Sequence, residues 1–286
     1  MFDNNNKVEK WDLVIEPKRN WWDLQLREVW RYRDLVFMFV RRDFVSQYKQ
    51  TILGPLWFLI QPLLTSLTFT VIFGNIASLP TDGVPDFLFY LSGTVVWNYF
   101  ANCLKNTSDT FITNANIFGK IYFPRLVMPM SVVISSIITF FIQFLMFLAF
   151  LFYYMKIGTQ VYPTSAVLLL PLLILLMAGL GLGFGIIISS LTTKYRDLRF
   201  LVAFGINLWM YITPVIYPKS TIPEHFRWIA DVNPLTPIME TFRTIFLGVG
   251  TLDWSALAYS AGCMLLVCII GILIFNRVEK TFIDTV

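Results

Sequence analysis

Residues 50–81 read QTILGPLWFLIQPLLTSLTFTVIFGNIASLPT, a run without one Asp, Glu, Lys, Arg or His. A helix crossing the hydrocarbon core of a bilayer needs about 20 consecutive, mostly apolar residues, and this run can hold one. Five more charge-free runs follow at 87–104, 126–155, 157–193, 200–218 and 254–276. The charges are crowded between the runs, which is where a chain threaded through hydrocarbon has to place them. The expected fold class is an all-α integral membrane protein with six transmembrane helices.

Composition points the same way. The chain is 56% hydrophobic, 17% aromatic and only 14% charged, whereas soluble domains average about 25% charged residues. The net charge of +4 is modest, but its distribution along the chain is not even. Lys7, Lys10, Lys18, Arg19, Arg27, Arg31, Arg33, Arg41, Arg42 and Lys49 precede the first span. Lys105, Lys120 and Arg125, then Lys194, Arg196 and Arg199, and finally Arg277 and Lys280 fall in the connections on the same side. The opposite side holds only Lys156, Lys219, Arg227 and Arg243 of the 22 basic residues. Because Lys and Arg are retained in the cytoplasm, both termini of this multi-pass chain are expected there.

The first 50 residues show no short apolar core followed by small residues, so no cleavable signal peptide is expected and the first span serves as the targeting signal. Cys103, Cys263 and Cys268 fall inside or at the edge of spans, where they read as small buried apolar side chains. His225 is the only histidine, which excludes a His-based metal cluster or catalytic triad.

Two units are expected: a cytoplasmic segment 1–49 and a transmembrane domain 50–286. In the first, Trp21 to Lys49 reads as a surface helix. Val36, Phe37, Val40, Phe44 and Tyr48 recur at helical spacing, with Arg42, Ser46 and Lys49 opposite. Such a basic amphipathic helix lies in the membrane interface, its cations anchoring it to anionic lipid or meeting an anionic substrate head group. Within the second unit, the first span runs to about Phe73 and carries Trp57 at headgroup level. After the second span, Thr107, Ser108 and Asp109 offer a helix start, Phe111, Ile112, Ala115 and Phe118 a short apolar stripe, and Gly119 a stop. This cytoplasmic helix over 106–118 is either a connector lying on its own bundle or a docking helix for a partner.

Spans three and four are expected at about Met130–Met155 and Ala166–Leu191. Gly179, Gly181, Gly183 and Gly185 follow no strand, so a dinucleotide-loop reading fails. The pairs Gly181/Gly185 and Gly179/Gly183 have the spacing that lets two helices approach closely. The segment 219–253 is expected outside, with a short helix after Thr221-Ile222-Pro223-Glu224 reaching about Val232 and a second from Thr236-Pro237 to Gly248. Neither is long enough to cross, and an apolar face of Ile238, Phe242, Ile245 and Phe246 suits a re-entrant hairpin dipping into the outer leaflet. That hairpin either lines the mouth of a pathway or caps the bundle.

Ion-driven carriers keep ionisable groups in the bundle to do the coupling, and these spans hold none. No G-x-x-x-x-G-K-[ST] phosphate loop is present: Gly119-Lys120 continues into Ile121. Energy for active transport would therefore enter through another subunit. An intramembrane lipid-sugar enzyme would need clustered carboxylates or metal ligands, and Asp34, Asp43, Asp197, Glu224, Asp231 and Glu240 are too scattered along the chain.

Several segments together resemble the membrane (permease) subunits of ABC exporters for polysaccharide, O-antigen and teichoic acid. They are Leu53-Gly54-Pro55-Leu56-Trp57 through Gln61-Pro62-Leu63, Lys194-Tyr195-Arg196-Asp197-Leu198-Arg199, Thr213-Pro214-Val215-Ile216-Tyr217-Pro218, and Asn233-Pro234-Leu235-Thr236-Pro237 with Phe242-Arg243 and Leu247-Gly248. The resemblance covers almost the whole chain. It implies a homodimer clamped to two ABC ATPase subunits, which hold the ATP and Mg, while this chain carries no cofactor and is no enzyme itself. It implies a lipid-linked glycan, on undecaprenyl pyrophosphate or a similar lipid, as cargo, with membrane lipids around and no nucleic acid.

By position, the resemblance makes 106–118 the coupling helix, with Asn106, Asp109, Phe111, Ile112, Ala115 and Phe118 toward the ATPase. It makes Trp21–Lys49 the interface helix and the external helices an outer gate with Phe226, Trp228, Ile238, Phe242 and Phe246. Sugar rings stack their C–H faces on aromatic side chains, so Trp57, Phe58, Phe69, Phe73, Trp209, Tyr211 and Tyr217 on spans one and five are candidates for the substrate passage; packing in the bundle or against lipid is the alternative for each. Arg41 and Arg42, with Arg196 and Arg199, are candidates for the lipid head group; pairing with Asp197 and fixing topology is the alternative for the last two. A small-molecule or lipid exporter of the same superfamily is the other transport reading.

Overall fold

The computed structural model describes residues 26–49, 51–118, 123–192, 195 and 197–282. They form helices joined by short turns, with no strand among them. At the N-terminal side α1 (Leu26–Arg31) and α2 (Arg33–Tyr48) precede the bundle. A 3-10 turn at Gly54–Leu56 leads into α3 (Trp57–Phe69), which continues as a π-helix over Thr70–Ile76. Next come α4 (Asp86–Ser108), the single turns α5 (Thr110–Thr113) and α6 (Ala115–Phe118), and α7 (Val127–Ile157). The chain ends with α8 (Leu170–Thr192), α9 (Leu198–Ile212), α10 (Glu224–Val232), α11 (Leu235–Leu247) and α12 (Trp254–Phe282).

Among the described residues, four stretches are long and apolar enough to cross a membrane: Gly54–Ile76, Val127–Ile157, Ser165–Thr192 and Trp254–Arg277. The other two charge-free runs take different forms. α4 has 23 residues but carries Asp86 in its first turn and Lys105 in its last. It is buried at every residue from 88 to 97. Surrounded by protein, it tolerates Ser92 and Thr94, whose hydroxyls donate to the carbonyls of Phe89 and Tyr90 at 2.7 Å each. α9 is 15 residues long, about 22 Å at 1.5 Å per residue, and gives way to the buried turn Thr213–Ile216.

α4 packs on α3, α7, α8 and α9, and α8 lies between α4 and α12. The glycines of α8 permit this on two faces. A Cβ on Gly181 would sit 2.6 Å from Cys103 Cβ, and one on Gly185 2.5 Å from Thr107 Cβ, both on α4. On the other face Gly179 meets Met264, and Gly183 would meet Val267 Cγ1 at 2.9 Å, both on α12. The two small-residue pairs thus serve two different neighbours, as their spacing predicts.

Two short helices form within 219–253, close to the expected limits. α10 begins after Pro223 and α11 ends at Gly248, whose φ of 72° is the left-handed conformation that glycine adopts without strain. Asp253 caps α12, its carboxylate accepting from Ser255 Oγ at 2.6 Å and from the backbone N–H groups of Ser255 and Ala256 at 2.9 and 3.2 Å. These bonds, that of the Ser255 hydroxyl first, hold the carboxyl below its usual range.

Two sequence expectations change. The surface helix is turned on its axis: Val36, Phe39 and Val40 are buried in a core with Phe123, Leu126, Val127 and Met128, while Phe37 and Met38 face outward. Apolar residues occupy nearly every position from 35 to 40, so periodicity alone does not fix the buried face. The 106–118 segment is not one helix. α4 runs on through Ser108, and the chain then bends at Asp109 and again at Asn114, where φ is −109° and ψ 16°.

Candidate functional site

Between α2, α3, α4 and α7, at the end of the bundle that carries α2, lies an open cavity of about 530 Å³. α7 supplies Ser135, Ser136, Thr139 and Gln143, which lie on one face at three- and four-residue intervals. α4 supplies Asn102 and Asn106, the bend after it Asp109, Thr110, Thr113 and Asn114, α3 Phe58 and Gln61, and α2 Arg42, Asp43 and Ser46. Deeper in, Asn98 Nδ2 lies 3.4 Å from Gln143 Oε1. The charges at the cavity are already paired. Arg42 donates to Asp43 at 2.9 and 2.7 Å and to Asn114 Oδ1 at 3.2 Å, and its guanidinium lies 4.8 Å from the Phe39 ring centre. Arg199 Nε donates to Asp109 at 2.8 Å.

These contacts tie the 109–118 segment to three other helices. Arg42 holds it from α2 and Arg199 from α9, while Thr192 Oγ1 at the end of α8 donates to the carbonyl of Ser108 at 3.1 Å. Phe111 is buried, its ring 5.3 Å from Phe118 and 5.2 Å from Phe275 of α12, and Phe118 stacks on Phe123 at 5.5 Å. The aromatic stripe expected to meet a partner is therefore turned into its own bundle. What the bend presents outward is Thr113 with half-buried Ile112; Asn106 is exposed in the last turn of α4, and Ala115 opens α6.

At the opposite end of α4 the motif segments converge. Arg243 of α11 is buried, donates to the carbonyls of Pro214 and Val215 at 2.7 Å each, and lies 3.8 Å over the Phe89 ring. Glu240 is 3.6 Å away. Asn233 donates to Thr213 Oγ1 at 2.8 Å and accepts from Leu235 N–H at 3.1 Å and Trp209 Nε1 at 3.3 Å. A Cβ on Gly93 would fall 2.7 Å from the Val215 carbonyl oxygen. The end of α9, the hairpin and α4 are thereby joined in one knot.

The aromatic candidates divide. Phe69 packs on Phe73 and Tyr90, and Trp209 is held between Phe100 and Phe184 at 5.2 Å each. Trp57 and Tyr211 are exposed, Tyr217 donates to the Tyr211 carbonyl at 2.7 Å, and Phe58 stacks near Phe44 at the cavity wall. Of the outer-gate residues, Ile238, Phe242 and Phe246 are buried; both rings pack on Phe144 and Phe147 of α7. Phe226 and Trp228 of α10 are exposed. The aromatic face of α11 thus packs on α7, and of these two helices only α10 presents aromatic rings outward.

Of the four head-group arginines, Arg41 is exposed, Arg42 and Arg199 are paired as above, and Arg196 lies outside the described residues. The sequence reading missed Gln61, Asn102, Thr110, Asn114 and the α7 row. A signal was present in Ser131, Ser135, Thr139 and Gln143, a strict four-residue repeat within an apolar run.

Apolar helices of spanning length, a buried central helix and a polar cleft at one end define a membrane-embedded helical bundle. The chain belongs to the ABC-2 type transporter family, whose model matches residues 34–247. It is 32% identical over 254 residues, 88% of this chain and 94% of the relative, to an O-antigen export system permease protein RfbA of Klebsiella pneumoniae. A protein of the same description from Myxococcus xanthus is 26% identical over 77% of this chain and 83% of its own length. The capsule polysaccharide export inner-membrane protein CtrC of Neisseria meningitidis is 21% identical over 84% and 89%.

Proposed function

We propose that this chain is the membrane subunit of an ATP-driven exporter moving a lipid-linked polysaccharide, of the O-antigen, capsule or teichoic acid kind, from the cytoplasm across the bacterial inner membrane. The observation that carries the reading is the 32% identity to an O-antigen export permease along 88% of the chain. In this reading α3, α4, α7, α8, α9 with its following turn, and α12 are the six spans. The concentration of basic residues at the end with α2 and the 109–118 bend supports a cytoplasmic location for that end and for both termini.

A second copy packs on the exposed apolar faces of α3 and its π-helical continuation (Leu64, Leu67, Val71) and of α9 (Leu201, Phe204, Leu208). The glycan leaves between the copies past Trp57, Tyr211 and Tyr217, and Arg41 receives the phosphates of its lipid carrier. Two ATPase subunits, holding ATP and Mg, dock at the 109–118 bend. Deleting the gene should remove surface glycan and trap lipid-linked polymer in the cytoplasm. Unchanged surface glycan, or glycosyl transfer by the purified chain alone, would instead favour the enzyme reading.

Two variants probe the docking bend. Ile112→Asp with Thr113→Asp should release the ATPase while leaving the bundle folded, because neither side chain is fully buried; a full ATPase complement on pull-down would exclude docking there. Asp109→Asn should cost less than about 1 kcal/mol of stability, since this ion pair is partly exposed and solvent-screened. It should nonetheless reduce export per ATP hydrolysed, because the pair links the bend to α9. The swap of Asp109→Arg with Arg199→Asp should restore part of the loss, and a swap no better than the single variant would exclude the linkage.

A further inference from the structure

The cavity between α2, α3, α4 and α7 suits an uncharged guest. Arg42 on its wall is neutralised by Asp43, and Asp109 on its wall is paired with Arg199 of α9. A pyrophosphate placed there would find no unpaired guanidinium and would face two carboxylates on the wall. The remaining wall is amide and hydroxyl. Gln61, Asn102, Asn106, Ser135 and Thr139 make no side-chain hydrogen bond to the other described residues. Ser135 and Thr139 are buried and Asn102 is half-buried, so their polar groups require partners, while Gln61 and Asn106 stand exposed at the mouth. These five supply donors and acceptors in both senses, as the hydroxyls of a sugar do, while the Phe58 ring on the wall offers an apolar face to sugar C–H groups. The volume of about 530 Å³ falls within the roughly 300–1,000 Å³ of small-ligand pockets.

We infer that this cleft, inside a single protomer and apart from the α3 and α9 faces assigned to the passage, binds an uncharged sugar segment of the glycan. The inference rests on the glycan-exporter reading. It makes the α7 row a carbohydrate-recognition surface on the side from which cargo enters, and it leaves the phosphates outside, toward Arg41.

The test uses the full chain with its partner subunits in lipid nanodiscs. Ser135→Cys, and separately Thr139→Cys, is labelled with a small neutral maleimide and the rate is read by mass spectrometry at that position, with Cys103, Cys263 and Cys268 left as internal references. The neutral disaccharides maltose and N,N′-diacetylchitobiose are the probes and inorganic pyrophosphate is the anion control. At a disaccharide concentration four times its dissociation constant the rate should fall about fivefold, as mass action at one site requires. Gln143→Leu should abolish the protection. Pyrophosphate should protect at neither position.

Protection by pyrophosphate, or none by either sugar up to their solubility limits, would overturn the inference. To separate glycan from free sugar as the occupant, membranes of glycan-producing cells are labelled without a probe. Slow labelling there and fast labelling when glycan synthesis is blocked identifies the glycan, and equal rates would contradict it. A complex that exports glycan but shows no sugar protection defeats this inference alone. Protection in a chain whose deletion leaves surface glycan intact defeats the exporter reading instead.

Discussion

Arg243→Met is expected to lose about 3–5 kcal/mol of stability, the usual cost of removing one partner from a buried charged network. The side chain of Arg243 is 3% exposed. Its guanidinium satisfies two carbonyls in the turn that ends α9, and a methionine of similar length would leave both carbonyls and the Glu240 carboxylate without it. The same substitution removes the charge over the Phe89 ring. The readout is the thermal midpoint and the monodisperse yield in detergent. Arg243→Lys should fall between wild type and Met, because one ammonium keeps the charge but cannot fork to two carbonyls. A wild-type midpoint for Arg243→Met would show that Asn233 alone suffices to hold the junction of α9 with the hairpin.

Substituting valine for Gly181 or Gly185 is expected to be the other large effect. A Cβ at Gly185 would lie 2.5 Å from Thr107 Cβ and 3.1 Å from the Leu104 carbonyl oxygen, and at Gly181 the obstruction includes Cys103 Cβ and the Leu104 backbone nitrogen. Both neighbours belong to the central helix, where backbone has little freedom to yield. Overpacking of this kind costs about 1–3 kcal/mol at one site, and the two substitutions on one face should together displace α8 from α4. Gly262 provides the contrast, with nothing within 4 Å of a Cβ there. Gly262→Ala should be neutral or gain the roughly 0.5–1 kcal/mol that alanine has over glycine in a helix. Equal midpoints for Gly185→Val and Gly262→Ala would contradict the close α4–α8 packing.

Those glycines show what the sequence made legible. Their four-residue spacing within an apolar run had one physical use, and both pairs serve it on separate faces of α8. The two short helices were nearly as readable, because Pro223 and Gly248 bound α10 and α11 through backbone geometry that needs no tertiary context, although α11 begins at Leu235, just ahead of the expected Thr236-Pro237. Charge-free runs, in contrast, are necessary for a span but say nothing of how lipid and protein share it. α4 looked like any other run, yet it is enclosed by neighbours, and α9 ends early in a turn held by Arg243 from a distant helix. The rotation of α2 was hidden because its apolar residues are nearly contiguous. Phe111 could not be assigned inward or outward without knowing that Phe275, far along the chain, would meet it, nor Phe118 without its contact to Phe123. The polar cleft was missed for another reason: each of its walls comes from a different helix, and no segment alone carries more than one row of hydroxyls and amides.

Mild solubilisation of the tagged chain from cells expressing its neighbouring genes tests the central claim most directly. An exporter subunit should co-purify with an ABC ATPase in equal amount, with hydrolysis of ATP that vanadate inhibits. A homo-oligomer of this chain free of any ATPase would contradict the claim and return the lipid-sugar enzyme reading to the front.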